Sequence, residues 1–267
     1  MPAPVTSGPE RLARLLPGVA LAELVLGLDF DGTLAPIVAD PELARPDART
    51  LELLAALASR VTQLVLISGR DSTQLQRRVP LPSIRLIGNH GMEESVTGRS
   101  RLRPVAAAFT PRLARAAEAI AALPEASLPG VRVERKRAAV SVHYRGSVDT
   151  GVGGRLEVAL RRLGEGEGLR LHAGRFVWEL RPAVDISKGS VLRELASTPG
   201  ARALVYVGDD VTDADAFAEL RQLNRMRTLA VGVRSSEVPP GTFKDCDLMV
   251  DGVEGVKGFL SDLLAIG

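Results

Sequence analysis

Leu24-Val25-Leu26-Gly27-Leu28-Asp29-Phe30-Asp31-Gly32-Thr33-Leu34 is the stretch that decides the fold. Leu24–Leu28 is continuously apolar, which suits a strand buried on both faces of a parallel sheet. Asp29 and Asp31 follow at positions i and i+2 of an extended segment, so they share a face and project beyond the strand's carboxyl end. Open α/β sheets place their ligands at that edge. Two carboxylates so close repel, unless a hard cation such as Mg²⁺ neutralises them or one keeps a proton. Gly32 permits a sharp exit from the strand and Thr33 adds a hydroxyl donor. A turn that merely ends a strand has no need of two acids here.

Outward from this point the pattern repeats. Residues 47–59 have helical spacing, with Leu51, Leu54, Ala55 and Leu57 on one side. Residues 61–67 and 84–87 are apolar strands. Late in the chain the same grammar resumes: helices over 188–196, 213–220 and 255–266, and strands over 203–207, 228–233 and 247–250. This alternation predicts a doubly wound α/β core with a parallel sheet. The middle differs. Residues 110–123 and 156–163 are helical, while 131–144 and 169–180 alternate like long strands with one wet face. The expected organisation is a core of residues 1–92 with 187–267 and an inserted α+β domain of residues 93–186, its antiparallel sheet covered by helices on one side.

Composition agrees. The chain has 267 residues, 45% of them hydrophobic and 25% charged, so disorder and coiled coil are excluded. Aromatics are only 3%, which leaves the core to aliphatic side chains. One cysteine, Cys246, excludes a disulfide framework and a cysteine-based zinc site, and fits a reducing, cytoplasmic compartment. Lys136, Lys188, Lys244 and Lys257 are the only lysines among 34 basic residues. The basic residues are interleaved with acids and form no one-sided run, so no nucleic-acid surface is expected. Arg14, Pro17 and Glu23 interrupt the most apolar early stretch, residues 12–28, so neither a membrane span nor a signal peptide is expected. Residues 1–17 have no assigned role.

Three further segments carry chemistry. Gly208-Asp209-Asp210-Val211-Thr212-Asp213 follows a buried strand, and its three acids could complete an oxygen-ligand site; as a helix cap it would need only one. Ser68-Gly69-Arg70 also ends a buried strand and brings a hydroxyl and a guanidinium to the same rim. Ser68 could alternatively cap the helix beginning near Asp71. Lys188, ahead of a helix, could neutralise an anion. Carboxylates, a hydroxyl and an ammonium at one sheet edge suit Mg²⁺-assisted phosphoryl transfer.

The order DxDGTL, SGR, a lysine and GDDxTD resembles the haloacid dehalogenase superfamily of aspartate-nucleophile phosphatases. Gly88-Asn89-His90-Gly91, Glu134-x-Lys136, His143-Tyr144-Arg145 and Glu179-Leu180-Arg181-Pro182 resemble one branch of it, the trehalose-6-phosphate phosphatases. The match runs from Leu24 to the C-terminus. The resemblance implies Mg²⁺-dependent hydrolysis of trehalose 6-phosphate. Asp29 would be the nucleophile that forms an aspartyl-phosphate, and Asp31 the acid and base. Ser68 and Lys188 would hold the phosphoryl oxygens. Asp29, Asp31 (through its backbone carbonyl) and Asp209 would ligate the metal, with Asp210 and Asp213 orienting its waters or Lys188. Thr33, Gly69 and Arg70 would line the phosphate side. Glu134, Lys136, Arg145 and Glu179 would hydrogen-bond sugar hydroxyls from the inserted domain, the cap, and His90 is a hinge or substrate-edge residue. His143 and His172 carry no signal of their own.

Two departures from the family pattern are visible. Ala214 stands where GDDxTD often continues with Glu. Unlike many members, the chain is expected to be a standalone phosphatase with no synthase or regulatory domain attached, working with a separate trehalose-6-phosphate synthase. Alternative substrates are sucrose 6-phosphate and mannosyl-3-phosphoglycerate, although Glu134 and Glu179 would repel the latter's carboxylate. An inactive sugar-phosphate sensor ranks last, because Asp29 and Asp31 are both present.

Overall fold

The structure is a computed structural model that describes residues 8–38, 40–96, 98–174, 176–235, 238 and 241–266. Along the chain come α1 (Pro9–Leu15), β1 (Leu24–Leu28), α2 (Ala48–Ala58), β2 (Gln63–Ile67), α3 (Ser72–Arg78), β3 (Arg85–Gly88), β4 (Glu93–Val96) and β5 (Arg99–Leu102). Next are α4 (Pro104–Ala107), α5 (Thr110–Ala121), β6 (Arg132–Arg135), β7 (Val140–His143), α6 (Val152–Glu167), β8 (Leu169–Gly174) and β9 (Val177–Pro182). The last part holds α7 (Lys188–Leu195), β10 (Ala203–Gly208), α8 (Ala214–Gln222), β11 (Arg227–Arg234), β12 (Leu248–Asp251) and α9 (Gly252–Ala265). Two compact units result: residues 1–100 with 186–267, and residues 101–185.

The first unit is built on an eight-stranded sheet in the order β12-β11-β10-β1-β2-β3-β4-β5. Pairing is parallel from β12 to β3, and β4 returns antiparallel to β3. β1 lies between β10 and β2, where the connections diverge to either side, the position at which α/β sheets bind ligands. Alternation along each strand divides the core. Leu24, Leu26 and Leu28, with Val205 and Val207, pack under α1, α2, α3 and α9 through Leu12, Leu53, Leu54, Leu57, Leu75, Phe259 and Leu263. Val25, Val65, Ile67, Leu204 and Tyr206 face the other way, against Val191, Leu192 and Leu195 of α7 and Phe217 and Leu220 of α8. Helices on both faces make the sheet doubly wound, as the alternation of apolar runs predicts.

The expected boundary of the insertion at residue 93 differs from the division at residue 101, because β4 and β5 extend the large sheet. The N-terminal segment also has a place in the fold. Leu12 of α1 is fully buried in the core, and the Gly8 N–H donates to Asp262 Oδ2 at 2.7 Å. Residues 1–7 lie outside the described residues.

The second unit is a four-stranded antiparallel sheet, β6-β7-β9-β8. The two long strands expected over 131–144 and 169–180 are each a hairpin. The first turns at Lys136, whose N–H donates to Ala139 O at 2.9 Å; the run Arg135-Lys136-Arg137 breaks the alternation there. The second turns after Gly174, and Phe176 adopts a φ of 54°. Val140, Val142, Leu169 and Leu180 pack on α5 and α6 through Leu113, Ile120, Leu156 and Leu160. Cross-strand partners share a face, so the register sets Glu134, Ser141, Glu179 and His172 side by side on the opposite one.

Candidate active site

The carboxyl ends of β1, β2 and β10 are neighbours, and each carries one of the acidic or hydroxyl motifs. Asp29, Asp209 and Asp213 are buried, with carboxylate oxygens within 4.8 Å of one another. Lys188, at the first turn of α7 and 2% exposed, enters the cluster. Its Nζ lies 3.0 Å from Asp29 Oδ1 and 2.6 Å from Asp213 Oδ1. Asp213 Oδ1 also accepts the Tyr206 hydroxyl at 2.6 Å, and Oδ2 accepts the N–H groups of Asp209 and Asp210 at 3.0 and 2.9 Å. Asp213 is therefore the organiser of the cluster, occupied on both oxygens.

Burial dominates the electrostatics. It pushes Asp29 up to about 8, against the pull of Lys188. Asp209 goes up to about 9, again chiefly through burial and then through Asp29 and Asp213. Burial alone would pull Lys188 down, but Asp213 and Asp29 outweigh it and hold the ammonium above its usual range. Adjacent buried carboxylates that resist ionisation, all offering oxygen, form a donor set that fits a hard divalent cation, which would relieve their repulsion. Asp29 and Asp209 would hold it, since Asp213 is committed to Lys188, Tyr206 and the backbone.

Gly32 makes the approach of the β1 and β10 motifs possible. Its φ is +78°, and a Cβ there would overlap the Asp209 carboxylate. The Thr33 hydroxyl, expected on the phosphate side, donates to Asp209 Oδ1 at 3.3 Å. Asp31 is half-exposed and held by both prongs of Arg70, Nε to Oδ2 at 2.7 Å and Nη2 to Oδ1 at 2.6 Å. Arg70 also donates to Pro41 O at 2.9 Å and lies 5.3 Å from the Phe30 ring centroid. Its guanidinium is thus spent on Asp31 and the loop after β1. Helix α3 is capped by Asp71, whose side chain accepts the Gln74 N–H at 2.7 Å, so Ser68 is left for another task. The Ser68 hydroxyl accepts the Arg70 N–H at 3.2 Å. Gly69 gives room to the His90 ring, which fills the space a Cβ would need. Asp210 joins the cluster through its backbone N–H.

In the second unit Glu179 is 6% exposed and accepts from Lys136 Nζ at 2.8 Å, Ser141 Oγ at 2.5 Å and Arg181 Nε at 2.5 Å. Glu134, one rung partner along, bonds His143 Nε2 at 2.9 Å, a contact that with burial working against it holds its carboxyl down at about 2. Arg145 is not brought to this group; it is exposed past the end of β7, 4.7 Å from the Phe176 ring centroid. His172 is held down at about 4 by burial and then by Arg181. Residue patterns alone do not mark Tyr206 or Ser141 as site residues, and they place His143 and Arg181 in family-like motifs without giving either a role. Of the first two, only Tyr206 offers a signal, a hydroxyl inside an otherwise apolar buried strand.

Among the described residues no helix is long and apolar enough to cross a membrane. Comparison with known proteins agrees with this geometry. The model of the trehalose-phosphatase family matches residues 27–244. A trehalose-phosphate phosphatase of Mycobacterium avium (strain 104) is 41% identical over 223 residues, 81% of this chain and 54% of that protein. The chain spans about half the length of the curated relatives it matches. The crystal structure of a trehalose-6-phosphate phosphatase related protein superposes with a TM-score of 0.76 at 26% identity, covering 91% of this chain and 98% of that one. A haloacid dehalogenase-like hydrolase from Bacteroides thetaiotaomicron shares the fold, with a TM-score of 0.62 at 17% identity over 89% of this chain and 98% of its own. With the parallel sheet, the buried acids at its edge and a family match over most of its length, the chain belongs to the trehalose-phosphatase family.

Proposed function

We propose that the chain hydrolyses trehalose 6-phosphate to trehalose and phosphate through an aspartyl-phosphate on Asp29. The observation that carries this is the buried cluster of Asp29, Asp209 and Asp213 around Lys188, at the carboxyl edge of β1 and β10, in a chain of this family. An Asp29 oxygen attacks phosphorus, and the bond from phosphorus to the sugar oxygen breaks. Asp31 gives the leaving oxygen its proton, then takes one from the water that cleaves the acyl-phosphate, so covalent catalysis divides one displacement into two. Arg70 keeps Asp31 oriented between these roles. Lys188 and Ser68 hold phosphoryl oxygens. A Mg²⁺ held by Asp29, the Asp31 backbone carbonyl and Asp209 would neutralise the phosphoryl charge and permit both acids to ionise.

The unit of residues 101–185 supplies selectivity and serves as the cap. Glu134, Lys136 and Glu179 form a polar sheet face suited to sugar hydroxyls, because a site built to pair hydroxyls penalises an analogue that leaves its polar groups unpaired. Arg145, exposed past the end of β7, is not among them. The substrate would come from a trehalose-6-phosphate synthase. The test is phosphate release from trehalose 6-phosphate, sucrose 6-phosphate, mannosyl-3-phosphoglycerate and p-nitrophenyl phosphate, with Mg²⁺ and with chelator. Trehalose 6-phosphate should lead, Asp29→Asn should abolish turnover, and Glu179→Ala should lower kcat/KM on trehalose 6-phosphate about 100-fold while sparing p-nitrophenyl phosphate. Equal losses on both substrates would remove Glu179 from the sugar site.

A further inference from the structure

Between β3 and β4 the chain makes a turn that glycine would make easily, yet it uses Asn89 and His90 at φ 49° and 55°. Side chains other than glycine rarely hold that conformation, and they persist in it only where the surroundings fix them. What the turn touches explains the choice. The Asn89 N–H donates to Arg70 O at 2.8 Å and the His90 N–H to Ser68 O at 2.9 Å, so the pair grips the Ser68-Gly69-Arg70 backbone on both sides of Gly69. The His90 ring fills the space beside Gly69. Held in this way, the Arg70 N–H reaches the Ser68 hydroxyl at 3.2 Å.

The grip is itself fixed from behind. Asn89 is 1% exposed, and its Nδ2 donates to Glu93 Oε2 at 2.5 Å. Glu93 has no exposed surface, and it also accepts the Ser72 N–H at 3.4 Å and the Ser100 hydroxyl. A fully buried carboxylate is costly unless donors surround it. Here the donors come from the start of α3, the turn and β5, which tie together the elements around Ser68.

We propose that Asn89 and Glu93 are positioning residues: Glu93 fixes Asn89, and the left-handed Asn89-His90 turn aims the Ser68 hydroxyl at the phosphoryl group. This rests on Ser68 holding a phosphoryl oxygen, as proposed above. The experiment measures kcat and KM for p-nitrophenyl phosphate, and competitive inhibition by inorganic phosphate, for Glu93→Gln, Ser68→Ala and the double variant. Asn89→Gly and Asn89→Ala accompany them, and all are assayed where circular dichroism shows them folded. Glu93→Gln should lower kcat about tenfold and weaken phosphate inhibition, as misplacement of a binding group does. In the Ser68→Ala background its effect should shrink to within about twofold, because groups acting as one unit are not additive. Asn89→Gly, which tolerates the turn, should outperform Asn89→Ala, and this comparison stands if Glu93→Gln does not fold. A lowered melting temperature with unchanged kcat and phosphate inhibition would overturn the proposal, as would independent, multiplying losses in the double variant. Ser68→Ala with wild-type turnover would instead refute the role of Ser68 itself.

Discussion

Replacing Lys188 with Met keeps the length of the side chain and removes its charge. Lys188 is 2% exposed, with Nζ 3.0 Å from Asp29 and 2.6 Å from Asp213, and Asp209 belongs to the same cluster. Removing one member of a buried ion pair costs about 3–5 kcal/mol, because the partner's charge stays buried without compensation. That is a large share of the roughly 5–15 kcal/mol by which a domain is stable. The cost should depend on pH, and the sign follows from Asp29. Its folded value, raised by burial to about 8, exceeds its ordinary one. The folded state therefore binds the extra proton, and stability present at low pH is lost as pH rises towards 8. In Lys188→Met a further carboxylate must take a proton or stay charged and buried, at about 1.4 kcal/mol for each unit above its ordinary value. Denaturant unfolding in chelator should thus show a loss of about 3 kcal/mol at pH 8, shrinking towards pH 5. Mg²⁺ should restore part of the stability at pH 8, and turnover should remain absent. Equal stability of both proteins at pH 8, or a larger penalty at pH 5, would refute this account of the cluster.

Gly32→Ala should reduce turnover by about 100-fold or more, since its Cβ must displace the Asp209 carboxylate; near-normal kinetics in a folded variant would deny the close approach of the two motifs. Leu12→Ala should destabilise the protein by about 2–5 kcal/mol, because Leu12 is fully buried in the core. A change below about 0.5 kcal/mol in the unfolding free energy, the range of surface substitutions, would detach α1 from that core.

What is legible in the sequence is whatever is encoded locally. The run Leu24–Leu28 marks a strand covered on both faces, and acids directly after it mark the sheet edge, so the placement of Asp29 and Asp31 there follows from residue order, as does that of the acids after β10, whereas their separate roles do not. Lys188 is weaker evidence in the sequence, and only its approach to Asp29 and Asp213 gives it a task. The hairpins at Lys136 and Gly174 escape a reading of periodicity because alternation resumes after a short reversal, and a break of three residues such as Arg135-Lys136-Arg137 is easily read through. Glu93 and Asn89 escape it for another reason. Nothing in their neighbourhood distinguishes a buried acid from a surface one until α3 and β5 close over it. Arg70 belongs to the expected rim, but its pairing with Asp31 depends on the path of the loop that follows β1.

The pairing of β1 with β10 has a consequence for how the molecule is made. Glu23 and Arg202, which join the bases of these strands, are 179 residues apart. At about 5–20 residues per second, a ribosome takes about 10–40 seconds to travel between them. During that interval β1, buried along its whole length in the finished fold, has one of its two edges uncovered, with Leu24, Leu26 and Leu28 already synthesised. The strand that leads into Asp29 is thus made before β10, its neighbour on that edge, and is enclosed only when β10 arrives.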